Sequence, residues 1–177
     1  MGSMKSVFGW KAVFANYSFK DFAIDSIFPT IISVILCVVV YCSGSDMLEQ
    51  IKHILSLGIA VVPSMVALIL AAYTIMLSFI LSETMSKLKA SDNGRNLIQT
   101  INASFAACLL VSTITIIVML VVSSVANLNI EIEHPNRVNY PIFFIICYLL
   151  TYSVCVLIGV VVDIFNSGQT TLIENNY

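Results

Sequence analysis

Four stretches of this chain, residues 26–45, 54–82, 96–130 and 138–162, contain no Lys, Arg, Asp, Glu or His. They are 20, 29, 35 and 25 residues long. A bilayer's hydrocarbon core is about 30 Å thick, so a helix needs roughly 20 apolar residues to cross it. The competing all-apolar reading is the core of a large α/β protein, whose parallel strands run as continuous hydrophobic segments. Strands mostly span about 3–10 residues, well short of these runs. Splitting the runs would take Gly and Pro punctuation, and the whole chain holds 7 Gly and 4 Pro. Charged residues make up 10% of the sequence, against about a quarter in ordinary soluble domains. The fold class that follows is an all-α membrane protein with four transmembrane helices per protomer.

The cationic residues orient those spans. Lys5, Lys11 and Lys20 precede the first span, and Lys87, Lys89 and Arg95 lie between the second and third. The other two loops hold one each, Lys52 and Arg137. Six against two places the N-terminus, the middle loop and the C-terminus in the cytoplasm. The chain then divides into a cytoplasmic segment at 1–20, a first span at 21–43, and a second with helical extensions at 46–90. A turn at 91–95 (Ser91-Asp92-Asn93-Gly94 and Arg95) leads to a third span at 96–127. An extracytoplasmic loop at 128–140, a fourth span at 141–164 and a cytoplasmic tail at 165–177 complete it. Two prolines make the loop mostly irregular, although Ile130 and Ile132 alternate with Glu131 and Glu133 as in a short strand. Met1-Gly2-Ser3 before a second start at Met4 reads as an expression scar rather than a myristoylation signal. Val7, Trp10, Val13/Phe14 and Tyr17 follow at helical spacing, which fits an interfacial amphipathic helix or a cap on the bundle. Pro29 sits early in the first span, where proline is tolerated, and Pro63 should bend the second.

What the spans lack narrows their function. None carries an ionisable residue at its middle, where proton relays, voltage sensors and charged-substrate sites place one. No inverted repeat with broken helices marks a transporter. Cys37, Cys42, Cys108, Cys147 and Cys155 are scattered, with no CxxC and no Cys/His cluster, so they read as packing residues. Glu131, Glu133 and His134, like Glu49 and His53, read as solvated loop rather than metal ligands. There is no Walker loop, GxSxG or HExxH, and neither an enzyme nor a cofactor is expected.

Each span carries small or weakly polar residues at helical spacing. Span one has Ser26, Thr30, Ser33, Cys37 and Tyr41. Span two has Ala60, Ser64, Ala67, Ala71, Thr74, Ser78 and Ser82. Span three has Thr100, Ser104, Cys108, Ser112 and Thr115; span four has Tyr148, Tyr152, Cys155 and Gly159. Lipid gives helices no hydrophobic drive to associate, so small residues that allow close approach build such contacts. The bland reading is helix–helix packing. The sharper one is a symmetric homo-oligomer with one stripe around an aqueous axis, since four helices of a single chain pack too tightly for a channel. On that reading the pore-lining candidates are Ser64, Ala67, Ala71, Thr74, Ser78, Thr100, Ser104 and Ser112. Lys87, Lys89 and Arg95, repeated around the axis, would form a cationic ring able to hold an anionic ligand such as a nucleotide. In a single chain the same three residues simply signal topology.

Ile27-Phe28-Pro29-Thr30 opens span one. In span two, Gly58-Ile-Ala-Val-Val runs into Leu68-Ile-Leu-Ala-Ala-Tyr-Thr-Ile-Met-Leu-Ser, followed by the charged hairpin. With these features the layout resembles the small four-span membrane proteins of bacterial anti-phage defence operons, most of all the Hailong-type channel effector and secondly the Kiwa membrane component. The Hailong resemblance implies a tetrameric inner-membrane channel held shut by single-stranded DNA from a partner nucleotidyltransferase and opened during infection. The Kiwa resemblance implies a non-conducting scaffold or sensor that recruits a cytosolic partner. The likeness covers spans one to three in general character and transfers no gate residue.

Overall fold

The computed structural model describes residues 19–80, 92–128 and 135–174. They form four helices and no strand: α1 (Phe19–Ser43), α2 (Met47–Ile80), α3 (Asp92–Ala126) and α4 (Pro135–Glu174). Each contains a segment long and apolar enough to cross a membrane: Ile24–Ser43, Met47–Ser78, Ile98–Ala126 and Pro135–Val162. The chain is a multi-pass membrane protein. At 34, 35 and 40 residues, α2, α3 and α4 run to about 50–60 Å, beyond the hydrocarbon thickness.

Local chemistry explains the tight connection from α1 to α2. Gly44 has φ +66°, and its N–H donates to the Tyr41 carbonyl at 3.4 Å, which ends α1 in a left-handed cap that only glycine adopts without penalty. Two residues later Asp46 caps α2. Its Oδ1 accepts from the Leu48 N–H at 3.0 Å, and its carbonyl takes the first intrahelical bond, from Gln50 at 3.1 Å.

Three boundaries differ from the sequence reading. The helix α3 begins at Asp92, so Asp92, Asn93 and Gly94 form its first turn rather than a separate turn. Such residues suit that position because the first amides of a helix have no intrahelical acceptor in any case. The helix α4 begins at Pro135, inside the expected loop, and includes Pro141. Proline at the first helical position gives up an N–H that would be orphaned anyway. The same helix continues past the apolar span to Glu174. Pro29 lies well inside α1, not at its start, and is fully buried. The expected strand at 130–132, the amphipathic segment up to residue 18 and the end of the tail lie outside the described residues.

The helices are not equivalent. Among the described residues α2, α3 and α4 each pack on the other two, while α1 rests chiefly on α4. This makes α4 the hub. One core cluster gathers Met47, Ile51, Leu55, Val62, Met119, Phe143, Ile146 and Cys147 near the α1–α2 turn. A second gathers Ile69, Ile101, Phe105, Cys108, Tyr152, Val156 and Val160 towards the other end. The large aliphatic side chains outside these clusters face outward, as Leu68, Ile75, Ile117, Val121 and Ile158 do. Lipid is their natural solvent.

Candidate functional site: the outward face of α2

The buried residues of α2 are Met47, Ile51, Leu55, Gly58, Val62 and Ile69. Their steps of three, four and seven keep them on one side of a 3.6-residue helix. Ala60, Ser64, Ala67, Ala71, Thr74 and Ser78 are all exposed and fall on the opposite side. Large side chains flank them, with Leu57, Val61, Leu68 and Ile75 along one edge. Among the described residues the α2 stripe therefore faces away from its own protomer.

Its hydroxyls are satisfied locally. Ser64 Oγ donates to the Ala60 carbonyl at 3.3 Å, Thr74 Oγ1 to Leu70 at 2.8 Å and Ser78 Oγ to Thr74 at 3.0 Å. A hydroxyl bonded one turn back leaves no orphan donor, so the face tolerates an apolar neighbour. Its oxygens can still accept a bond from water or from another chain.

The α3 candidates behave differently. Thr100 is exposed, Ser104 is half-buried and Ser112 is completely buried. This stripe turns into the bundle instead of continuing the α2 face, so the two sets do not share a surface. Ser112 is enclosed by its own protomer and is not a lining residue as the chain stands. Lys87 and Lys89 lie outside the described residues. Arg95 falls in the first turn of α3, with its side chain also outside them.

The interior polar residues were the least legible from sequence. Thr115 Oγ1 and Ser153 Oγ sit 2.9 Å apart, linking α3 to α4, and each also donates or shares a bond along its own helix, to the Val111 carbonyl at 2.9 Å and the Leu149 carbonyl at 2.9 Å. One turn before Thr115, Ser112 Oγ is buried without a hydrogen-bond partner among the described residues. Tyr148 donates to Ser26 Oγ at 2.9 Å, a polar tie between α4 and α1, and stacks with Tyr152 at 5.7 Å between ring centroids. Ser153 belongs to no small-residue stripe. Only the matching depth of hydroxyls on two neighbouring spans signals it. Among the described residues no His, Cys, Asp and Glu cluster could hold a metal ion. Comparison with protein-family models, curated proteins and solved structures gives no match to this chain.

Proposed function

We propose that this chain is the protomer of a homo-oligomeric channel in the bacterial inner membrane, gated from the cytoplasmic side and acting as an anti-phage effector. The observation that carries this reading is the unpartnered outer face of α2. A monomer in lipid gains nothing from grouping six small residues on one line, away from its own core. Small residues let neighbouring helices approach closely, and Ala60/Ser64, Ala67/Ala71 and Thr74/Ser78 are each four apart, the spacing of small-xxx-small contacts. A closed ring of such contacts brings hydroxyl oxygens to an axis that each protomer alone lacks. The defence role and the tetrameric count rest on the resemblance at 27–30 and 58–78. The cationic residues Lys87, Lys89 and Arg95 supply a phosphate-binding chemistry for a single-stranded DNA ligand.

The test is single-channel recording of purified protein in a planar bilayer, with and without short single-stranded DNA on the hairpin side. Current that the DNA suppresses, and that charge reversal at Lys87, Lys89 and Arg95 frees from suppression, supports the channel. Silence in both conditions, from folded and oligomeric protein, replaces it with the non-conducting scaffold.

A further inference from the structure

At the end of the bundle that holds the α1–α2 turn, the three central helices leave a cleft of about 160 Å³. Leu48 and Ile51 of α2, Val122 and Ala126 of α3, and Val138 and Ile142 of α4 form most of its wall. Among the described residues none that lines it is charged. The single side-chain amide among its lining residues is that of Asn139, which is only 9% exposed. Among the described residues Asn139 has no side-chain hydrogen-bond partner. Asn127, at the end of α3, is already committed, donating to the Ser123 carbonyl at 2.9 Å.

Buried polar groups are almost always paired, with protein, water or a ligand. Asn139 lines the cleft with an amide that offers one donor pair and one acceptor oxygen to its occupant. Apolar cavities of about 150 Å³ take up a molecule the size of benzene. The volume sets the size of the occupant, the wall sets its apolar body, and the amide sets one polar group.

We propose that this cleft binds a small uncharged amphiphile, a body about the size of a benzene ring bearing one hydroxyl, with the Asn139 amide as its polar anchor. The chemistry is shared by free aromatic or short-chain alcohols and by the glycerol hydroxyl of a lipid. A molecule wedged there contacts α2, α3 and α4 at once and ties their ends together.

Benzyl alcohol is the probe, with toluene as its hydroxyl-free counterpart. Binding to the full-length protein in deuterated detergent micelles is followed by saturation-transfer NMR. Comparing variants in the same micelles cancels partitioning of the probes into detergent. Asn139→Leu keeps the volume and removes the anchor, and it should weaken benzyl alcohol about tenfold, the loss expected for one hydrogen bond, while leaving toluene unchanged. Ala126→Leu, at a half-buried lining position, fills the cleft and should weaken both probes. Circular dichroism of Asn139→Leu without probe confirms that it folds. Monoolein added as competitor separates the two sources: displacement of benzyl alcohol assigns a lipid occupant, and no displacement assigns a free solute. Equal benzyl alcohol binding by wild type and Asn139→Leu overturns the proposal, as does binding that survives Ala126→Leu.

Discussion

At Gly58 the side chain of Met119 on α3 packs against the α2 backbone, and this contact allows packing in the bundle to be measured. A Cβ added there would run into the Sδ and Cε atoms of Met119 and reach Leu150 Cδ1 at 3.7 Å. Met119 is completely buried, so its thioether has little room to move. Gly58→Ala adds one methyl against the flexible end of a methionine and gains up to about 1 kcal/mol of helix propensity, so the net effect should be small. Gly58→Leu adds four carbons where the structure has space for none, an overpacking worth about 1–3 kcal/mol. Met119→Ala removes three heavy atoms. In lipid the separated helices keep those atoms in an apolar medium, so the transfer part of the usual cost disappears and the cavity part remains. For a void of roughly 60 Å³ that part is about 1.5 kcal/mol. Gly58→Leu with Met119→Ala restores the volume, and the pair should be less destabilised than the sum of the single variants by about 1.5 kcal/mol. Reversible unfolding in mixed micelles, followed by circular dichroism, reads the cycle. Additive effects, or a Gly58→Leu protein as stable as wild type, would refute the close approach of these helices.

Three further outcomes follow from the same structure. Thr115→Val and Ser153→Ala should show a coupling of about 0.5–1.5 kcal/mol in an unfolding cycle, the range of interhelical hydrogen bonds in membranes. Additivity there would show that the two hydroxyls do not meet. Gly44→Ala has free space around its new methyl and pays only for the left-handed backbone, about 1–2 kcal/mol of lost stability, with the helical content unchanged. If the proposed homo-oligomer forms through the α2 face, Ala67→Leu with Ala71→Leu should shift it to monomer in analytical ultracentrifugation while leaving protomer stability within about 0.5 kcal/mol, as expected for surface positions. An oligomer that survives both leucines removes the α2 face from the interface.

The four membrane-crossing helices were legible because one property, long runs without charge, determines them almost alone. Backbone groups in lipid must be satisfied internally, so an apolar run of that length has few alternatives to a helix. Helix ends were less legible because different physics sets them. Pro135 and Pro141 are loop residues by composition, yet the first suits an N-terminal helical position and the second lies six residues further on in a helix that carries through it. The sequence Asp92-Asn93-Gly94 reads as a turn and occupies a helix start, since both situations favour residues that tolerate unpaired amides. Beyond residue 164 hydropathy ceases to report on the helix at all, and α4 continues to Glu174.

Hydropathy also says nothing about direction around a helix when every side of the helix is apolar. In a soluble bundle the polar face marks the outside. Here α2 and α3 carry nearly the same repeat of Ala, Ser, Thr and Cys, and the structure turns one outward and the other inward. The difference lies in what the opposite faces offer. On α2 the alternative face holds Ile51, Leu55, Val62 and Ile69 around Gly58, bulky side chains with one gap that receives Met119. On α3 the hydroxyl of Thr115 finds Ser153 across the interface, and Ser112 one turn away is buried within the same protomer. A hydroxyl turned inward serves its own protomer. The α2 hydroxyls, bonded to their own helix, face away from the other described helices, which is why the proposed assembly is to be sought on the outward face of α2.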